Sequence, residues 1–276
     1  MKQAAVIVFL AAAVAPAQTM KELVKPYLVQ ALDNGHSFVS VSAASGMLLI
    51  APDSLASIYG SNLAAPTAFA PPPYPTELGG ISVQVVDSAG NSQQAPLLYV
   101  SPEQINFLMP SGMVEGLTTI NLIGAAGMMG SGMVQNQNVA PAPFTANGNG
   151  QGVVAATAYR TFIPGTTTGP VAVFQCSTAP GSCVSLPIDP GLDAPVTIML
   201  YATGIKGRSS DAGVTLTIGN TVVPLRSITS SDDMGPMSGV DQITFGLPLS
   251  LRGSGEVDIF LTVDGVNSNH ARINIQ

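Results

Sequence analysis

Short stretches in which apolar and polar residues alternate make up much of the chain after residue 38. Ile81–Val85, Val214–Ile218 and Val257–Val263 follow this pattern, and turn-forming residues such as Gly and Asp stand near their ends. A period of two places the apolar side chains on one face of a strand, and the flanking residues favour turns. The pattern predicts half-buried strands in antiparallel sheets, and therefore an all-β fold.

Strand motifs recur in the same order in the two halves of the chain. The matched segments are Ile58–Leu63 with Leu200–Ile205, Gly80–Val85 with Gly213–Ile218, Gln104–Pro110 with Gln242–Pro248, and Leu117–Ile123 with Glu256–Val263. Matches in one order predict the duplication of one all-β unit. Short strands with frequent turns, in units of about 100 residues, are typical of an immunoglobulin-like β-sandwich.

The chain is therefore predicted to hold two tandem immunoglobulin-like β-sandwich modules. We place the first module at residues 39–144 and the second at residues 145–276, the second beginning with a hairpin and a disulfide loop. The glycine-rich segment 148–152 is interpreted as a flexible linker between them, because no helix pattern follows it to form a phosphate-binding loop.

The first residues have the pattern of a secretory signal peptide. Lys2 precedes an apolar run, and Ala15-Pro16-Ala17 has the small residues of a cleavage site. The run is shorter than the roughly 20 residues that a membrane-spanning helix needs. We predict a signal peptide over residues 1–17, an N-terminal extension over residues 18–38, and a secreted or cell-surface protein without a membrane span after cleavage. A retained, uncleaved anchor is the alternative.

Composition narrows the class of partner. Charged residues make up 9% of the chain, and the chain holds 29 Gly and 22 Pro, which is typical of a turn-rich, weakly charged β protein. The net charge is −7, and the few cations, such as Lys206, Arg208 and Arg226, are scattered rather than clustered. Because phosphate backbones need clustered cations, nucleic acid is not expected as a partner.

The two cysteines, Cys176 and Cys183, flank a Pro-Gly pair that favours a tight turn. In an exported protein such a pair predicts a local disulfide that stiffens one hairpin. A redox-active pair is the alternative, but the spacing is not Cys-x-x-Cys and no cation stands beside either sulfur.

Three segments carry a resemblance to a known family: Ala51–Gly60, Leu98–Phe107 and Val196–Gly204. They resemble the Solibacter-type uncharacterised C-terminal domain of Acidobacteria, and the strand opening each unit is similar to that of IPT/TIG immunoglobulin-like domains. The resemblance implies export, an immunoglobulin-like fold and no established activity. The sequence departs from the family at Gly124–Met133 and Gln135–Asn138, where we expect an irregular last strand in the first module.

Patterns for catalysis or cofactor binding do not emerge. The two histidines, His36 and His270, come without a Gly-x-Ser-x-Gly motif, and zinc or EF-hand motifs are absent from the sequence. We predict neither an enzyme nor a cofactor. Asp232 and Asp233 are a candidate for a loop calcium site, although an acidic pair in a polar loop is more often only solvated.

The function favoured by the sequence is a non-catalytic structural or interaction module outside the cell, with surface proteins as partners. The alternative is an extracellular carbohydrate-binding module. The chain has no Trp, so Tyr74, Tyr159 and Phe162, together with Phe69, are the candidate ligand contacts. A secreted hydrolase is a third hypothesis, and it needs two acids brought together by loops.

Overall fold

The structure is a computed structural model that describes residues 38–42, 49–65, 67–148, 150–162, 167–179, 181–192, 194–230 and 238–276. Within these residues the all-β prediction is confirmed, because strands dominate and the helices are two single 3-10 turns, at Asp211–Gly213 and Leu249–Leu251. The predicted signal peptide, nearly all of the N-terminal extension, and Asp232 with Asp233 lie outside the described residues.

The strands of the first half of the chain form two sheets. In chain order they are β1 (Phe38–Ser42), β2 (Leu49–Ile50), β3 (Leu55–Gly60), β4 (Ala68–Phe69), β5 (Ser82–Val86), β6 (Ser92–Ala95), β7 (Leu97–Val100), β8 (Gln104–Leu108), β9 (Gly116–Gly124) and β10 (Gly127–Asn136). Sheet A has the order β1-β3-β8-β7-β4, and sheet B has the order β2-β10-β9-β5-β6. Pairing is antiparallel except between β2 and β10.

The second half repeats this arrangement of two larger sheets and adds a small hairpin. Its strands are β11 (Ala142–Pro143), β12 (Ala156–Phe162), β13 (Thr167–Val171), β14 (Phe174–Cys176), β15 (Cys183–Ser185), β16 (Val196–Thr203), β17 (Val214–Ile218), β18 (Thr221–Val223), β19 (Leu225–Ser230), β20 (Asp241–Gly246), β21 (Gly255–Val263), β22 (Val266–Asn267) and β23 (Ala271–Ile275). Sheet C has the order β13-β12-β16-β20-β19, with β11 on β16. Sheet D has the order β18-β17-β21-β22, with β23 on β21.

Each half has its own hydrophobic core. The first core draws on residues between Ile50 and Val134, and the second on residues between Val139 and Ile275. Burial alternates along β5 and along β17, so the period-two pattern does place apolar side chains inward. Burying one such side chain stabilises the fold by about 1.5–3 kcal/mol. The exact module boundary at residues 144 and 145 stays a prediction.

The matched sequence motifs have matched strand partners. In the first half Tyr59 on β3 lies opposite Gln104 on β8. In the second half Tyr201 on β16 lies opposite Gln242 on β20. These are the residues that the internal repeat aligns, so the same pairing of strands recurs in both halves.

The two halves meet in a third apolar cluster. Its buried members are Leu55, Leu98 and Leu108 from the first half and Ala142, Phe144, Ala155, Tyr201 and Val240 from the second, with Tyr74 packed against them. Beside it, the buried Thr203 hydroxyl donates to the Gly239 carbonyl at 2.6 Å and accepts from the Leu55 N–H at 2.9 Å. We call this contact the junction.

The loop that contains segment 148–152 belongs to the second half. The Asn147 Oδ1 accepts from the Val153 N–H at 2.8 Å, and its Nδ2 donates to the carbonyls of Gly181 and Cys183, both at 2.9 Å. The loop is therefore fastened to the disulfide hairpin at Asn147, and the role of segment 148–152 as a linker between the two modules stays a prediction. Amide side chains of this kind replace the backbone partners that a glycine-rich loop lacks.

The predicted disulfide is confirmed. Cys176 and Cys183 face each other across β14 and β15 and are bonded with an S–S distance of 2.01 Å.

Most of the two segments in which we expected an irregular last strand, Gly124–Met133 and Gln135–Asn138, lies in the strand β10. β10 pairs with β9 from Gly127 to Asn136, with a single shift of register between Met128 and Gly130 within that pairing. The expected irregularity is therefore limited to one bulge. Pairing of the backbone with β9 is sufficient to hold a strand of weak intrinsic propensity.

Candidate functional site

The outer face of sheet B carries no charge. Strands β5, β6, β9 and β10 contain no Asp, Glu, Lys, Arg or His. Because side chains alternate, the residues between the core positions of these strands point away from the core. We define the uncharged face by nine of these side chains: Gln84, Val86, Leu117, Thr119, Asn121, Ile123, Met128, Ser131 and Met133.

A polar row crosses the uncharged face near its middle. Ser131, Asn121 and Gln84 lie in register on β10, β9 and β5. The Ser131 hydroxyl donates to Asn121 Oδ1 at 2.8 Å, and Asn121 Nδ2 donates to Gln84 Oε1 at 3.0 Å. Asn121 is thereby bonded on both sides, although it stands on an outward face.

Apolar side chains flank the polar row. Met133 and Val86 lie in register with Thr119 on one side of it, and Ile123 lies on the other. Leu117, Met128 and Met133 are 56%, 67% and 60% exposed. Clusters of exposed apolar side chains mark interaction surfaces, and Met is enriched and charge depleted at the centres of protein interfaces.

The acid nearest in sequence to β5 is held by hydrogen bonds from two loops. Asp87, directly after β5, accepts hydrogen bonds from the N–H groups of Val114, Ala89 and Asn91. These bonds, above all the one from Val114, lower the pKa of Asp87 to about 2 against the opposing effect of desolvation. Its charge is therefore held by backbone dipoles at the rim of the uncharged face.

A second outward row lies on sheet C and contains Tyr159. This residue lies opposite Thr197, which in turn lies opposite Gly246. Arg226 extends over Gly246, where an added Cβ would lie 2.7 Å from Nη2, and its Nη1 donates to the Thr197 hydroxyl at 2.7 Å. Thr197 is buried and its hydroxyl is bonded to Arg226, so the row presents a phenol ring and a guanidinium on either side of it.

The other candidate ligand contacts are placed differently. Tyr74 packs against the junction, and burial raises the pKa of its phenol. Phe162 ends β12, in the same strand as Tyr159. Phe69, on the edge strand β4, is 59% exposed. The structure therefore puts Tyr74 into a packing role and leaves Tyr159 on an outward face.

Two adjoining clefts open where the halves meet, and both are lined in part by Asn138 and Gly207. The larger has a volume of about 440 Å³ and is walled by amides and by the carboxyl groups of Glu115 and Asp264. Hydrogen bonds from the Ser209 side chain and N–H lower the pKa of Asp264, and Glu115 accepts from the Asn138 N–H at 2.8 Å. Asp264 thus joins its turn to the loop of Ser209, and Glu115 joins its loop to the segment at Asn138.

His270 has closer neighbours than the sequence indicated. Its ring stacks on Phe260 with centroids 4.3 Å apart, and its Nδ1 lies 3.3 Å from Asp258 Oδ2. Asp258 also pairs with Arg272 at 3.2 Å. The register of β21 with β23, which pairs Ile259 with Ala271, produces this cluster and could not be read from either strand alone.

The described part of the chain contains neither a metal-binding cluster nor a membrane-spanning helix. It holds no group of three or more His, Cys, Asp or Glu side chains that could bind a metal ion. It also holds no helix long and apolar enough to cross a membrane.

Comparison with known proteins adds little to this geometry. No family model matches the chain, and no curated protein matches it. Among solved structures, an auxiliary nutrient binding protein from Bacteroides ovatus is similar over 42% of this chain and 21% of its own, at 13% identity and a TM-score of 0.21. At that TM-score the likeness carries no argument about fold or function.

The features that sequence reasoning missed are Arg226 and the uncharged face. Most of β10 falls in the segments Gly124–Met133 and Gln135–Asn138, where we expected an irregular strand. The alternation along β10 is broken by glycines, so the sequence pattern did not indicate that its Met side chains and Leu117 share an exposed face.

Proposed function

We propose that the protein is an exported, non-catalytic interaction module of the cell exterior that binds surface proteins. The uncharged face of sheet B is the observation that carries this proposal. It combines exposed Met and Leu side chains with a polar row that is already hydrogen-bonded, which is the composition of an interface centre.

We further propose that the two halves are immunoglobulin-like units, related by duplication, of the Solibacter-type family. Support comes from the motif pairs that hold equivalent registers, Tyr59 with Gln104 and Tyr201 with Gln242. It also comes from two separate cores. Each unit would then be a sandwich of two sheets, as the family resemblance implies.

Export is part of the same proposal. A disulfide between Cys176 and Cys183 is compatible with an oxidising compartment, where such bonds persist. The signal-peptide pattern of residues 1–17 is the sequence basis for it.

Replacing Met133 by Glu is expected to reduce capture of exported proteins by about tenfold, because each bound partner would bury an unpaired charge. The measurement uses the chain from Gln18, immobilised and exposed to the exported proteins of its source. Val222→Glu is the matched control: Val222 is 65% exposed on sheet D, so the same charge is added away from the uncharged face. Equal capture by the unmodified chain, Met133→Glu and Val222→Glu would exclude the uncharged face as the binding surface.

Carbohydrate binding is the second candidate function, and the placement of Tyr159 and Arg226 on either side of the buried Thr197 favours it. An aromatic ring near guanidinium donors suits a sugar ring, which offers both apolar C–H groups and hydroxyls.

Tyr159→Ala is expected to weaken any saccharide binding on a glycan array by about fivefold to thirtyfold, since one stacking contact is worth about 1–2 kcal/mol. Tyr74→Phe serves as the control, because Tyr74 packs at the junction. If saccharide binding is unchanged in Tyr159→Ala, the saccharide site lies elsewhere on the protein. If the array shows no binding at all, the interaction module is the remaining candidate.

A further inference from the structure

We propose that the larger of the two clefts between the halves binds a primary ammonium group, held by Glu115, Asp264 and the side-chain oxygen of Asn136. None of the nine side chains that define the uncharged face lines either cleft. The site is therefore separate from the surface that carries the proposed function, and the inference goes beyond that function.

The Asn136 side chain is buried and has one polar atom without a partner. Its Nδ2 donates to the carbonyls of Met113 at 3.2 Å and Val114 at 3.0 Å. These acceptors fix the orientation of the amide, because a flipped amide would place its oxygen against two carbonyl oxygens. Asn136 is 0% exposed and lines the larger cleft, and its Oδ1 has no hydrogen-bond partner. A buried acceptor in this state is unfavourable until a donor reaches it.

Each half contributes one acid to this cleft. Glu115 comes from the loop before β9, and Asp264 comes from the turn after β21. Hydrogen bonds from Ser209 lower the pKa of Asp264, so its carboxylate is ionised at neutral pH. The other described residues that line the cleft carry no charge. The charge of the cleft wall is therefore negative, and it favours a cation.

Two cations near the cleft have acidic partners of their own. Arg208, whose charge contributes to the low pKa of Asp264, pairs with Asp211 at 2.8 Å. Lys206 lines the adjoining smaller cleft, and its Nζ lies 3.4 Å from Asp53 Oδ1. Neither side chain lines the larger cleft, so neither occupies the place of a bound cation.

A primary ammonium group matches these acceptors better than a calcium ion or a guanidinium group does. It has N–H donors in three directions and no acceptor. Calcium takes about six to eight oxygens, and no three acidic side chains come together in the described part of the chain.

A guanidinium group binds best to a carboxylate that offers both oxygens to a planar fork of donors. Both oxygens of Asp264 already accept from Ser209, and one oxygen of Glu115 accepts from the Asn138 N–H at 2.8 Å. The capacity that remains is one acceptor direction at a time. This suits the separate N–H bonds of an ammonium group.

The place and size of the cleft fit a small ligand with an alkyl chain. Ligand sites occur preferentially where structural units meet, in clefts of about 300–1,000 Å³. This cleft opens between the two halves and has a volume of about 440 Å³. Val139 and Val266 also line it, so the carbon chain behind an ammonium group gains apolar contacts there.

Titration of n-butylammonium chloride into the chain from Gln18, followed by nuclear magnetic resonance, tests the inference. We expect saturable shifts of the Asn136 side-chain NH2 signals with a Kd on the order of 1 mM, because a few charge-assisted hydrogen bonds form in an open cleft. n-Butyltrimethylammonium has the same charge and alkyl chain without N–H donors, and it should bind at least about tenfold more weakly. Equal binding of the two cations, or no shift of the Asn136 signals up to about 50 mM n-butylammonium, would overturn the inference.

Glu115→Gln and Asp264→Asn are each expected to weaken n-butylammonium binding by at least about fivefold, because each removes one negative charge and keeps the shape of the side chain. Asparagine also tolerates the φ of +48° at position 264. Glu103→Gln is the matched control, since Glu103 is exposed and lines neither cleft. It should leave the Kd within about twofold of the unmodified chain. Thermal unfolding verifies that each variant is folded, and an unchanged Kd in both cleft variants would contradict the site.

A capped lysine, Nα-acetyl-lysine-methylamide, distinguishes the two sources of a primary ammonium group. If it binds with the Kd of n-butylammonium, the cleft accepts lysine side chains of other proteins. If it binds at least about tenfold more weakly, the cleft accepts free small amines. Both results uphold the ammonium site and assign its ligand.

Discussion

Replacing Gly204 with alanine is expected to lower the free energy of unfolding by about 3 kcal/mol. Gly204 has a φ of +78°, and an added Cβ would lie 2.1 Å from the backbone oxygen of Ala140. Backbone cannot move aside as a side chain can, and the Ala140 N–H donates to the Gly204 carbonyl at 2.8 Å. Strain and lost hydrogen bonding therefore act together. Urea unfolding followed by circular dichroism measures the change.

Gly253→Ala is the matched control for the backbone strain. Gly253 has a φ of +79°, and none of the described atoms beyond its chain neighbours lies within 4 Å of the position of an added Cβ. Its substitution should cost only the strain of the left-handed conformation, about 1 kcal/mol. If both substitutions lower the free energy of unfolding by the same amount, the close approach of the Ala140 backbone to Gly204 adds nothing to the cost.

Replacing Thr203 with valine is expected to destabilise the protein by about 2 kcal/mol, because it leaves two buried backbone groups without partners. The Thr203 hydroxyl accepts from the Leu55 N–H at 2.9 Å and donates to the Gly239 carbonyl at 2.6 Å. Valine has nearly the same shape, so packing is preserved and only hydrogen bonding is removed. Urea unfolding gives the total loss, and hydrogen exchange at the Leu55 amide should speed up by a matching factor.

Thr217→Val is the control for the chemistry of the exchange. Thr217 is half-buried on β17, and no hydrogen bond joins its side chain to the rest of the described chain. Its substitution should change the free energy of unfolding by less than about 0.5 kcal/mol. A Thr203→Val loss no larger than this would mean that the junction does not depend on its hydrogen bonds.

The turn at Gly204 has a counterpart in the first half of the chain. The repeat aligns Gly204 with Asn62, and both have a positive φ, +78° and +55°. Gly and Asn are the residues that adopt this conformation at the lowest cost. The matched turns were therefore present in the sequence as residue types, even though the alignment used only the strand motifs.

The sequence by itself determined the all-β class and the disulfide, because both follow from relations between near neighbours. A period of two marks a strand within a few residues. Cys176 and Cys183 are seven positions apart with a turn between them. The turn chemistry and the weak charge are likewise properties of composition.

Only the tertiary structure decided where the side chains with functional potential lie. Leu55 meets Thr203 across 148 positions, and Tyr74 is drawn into that junction while Tyr159 faces outward. Asn147 donates to the carbonyls of Gly181 and Cys183, which lie on a hairpin that is distant in sequence. The uncharged face likewise exists only once β5, β9 and β10 pair in register, since no single strand carries enough exposed apolar surface to form it.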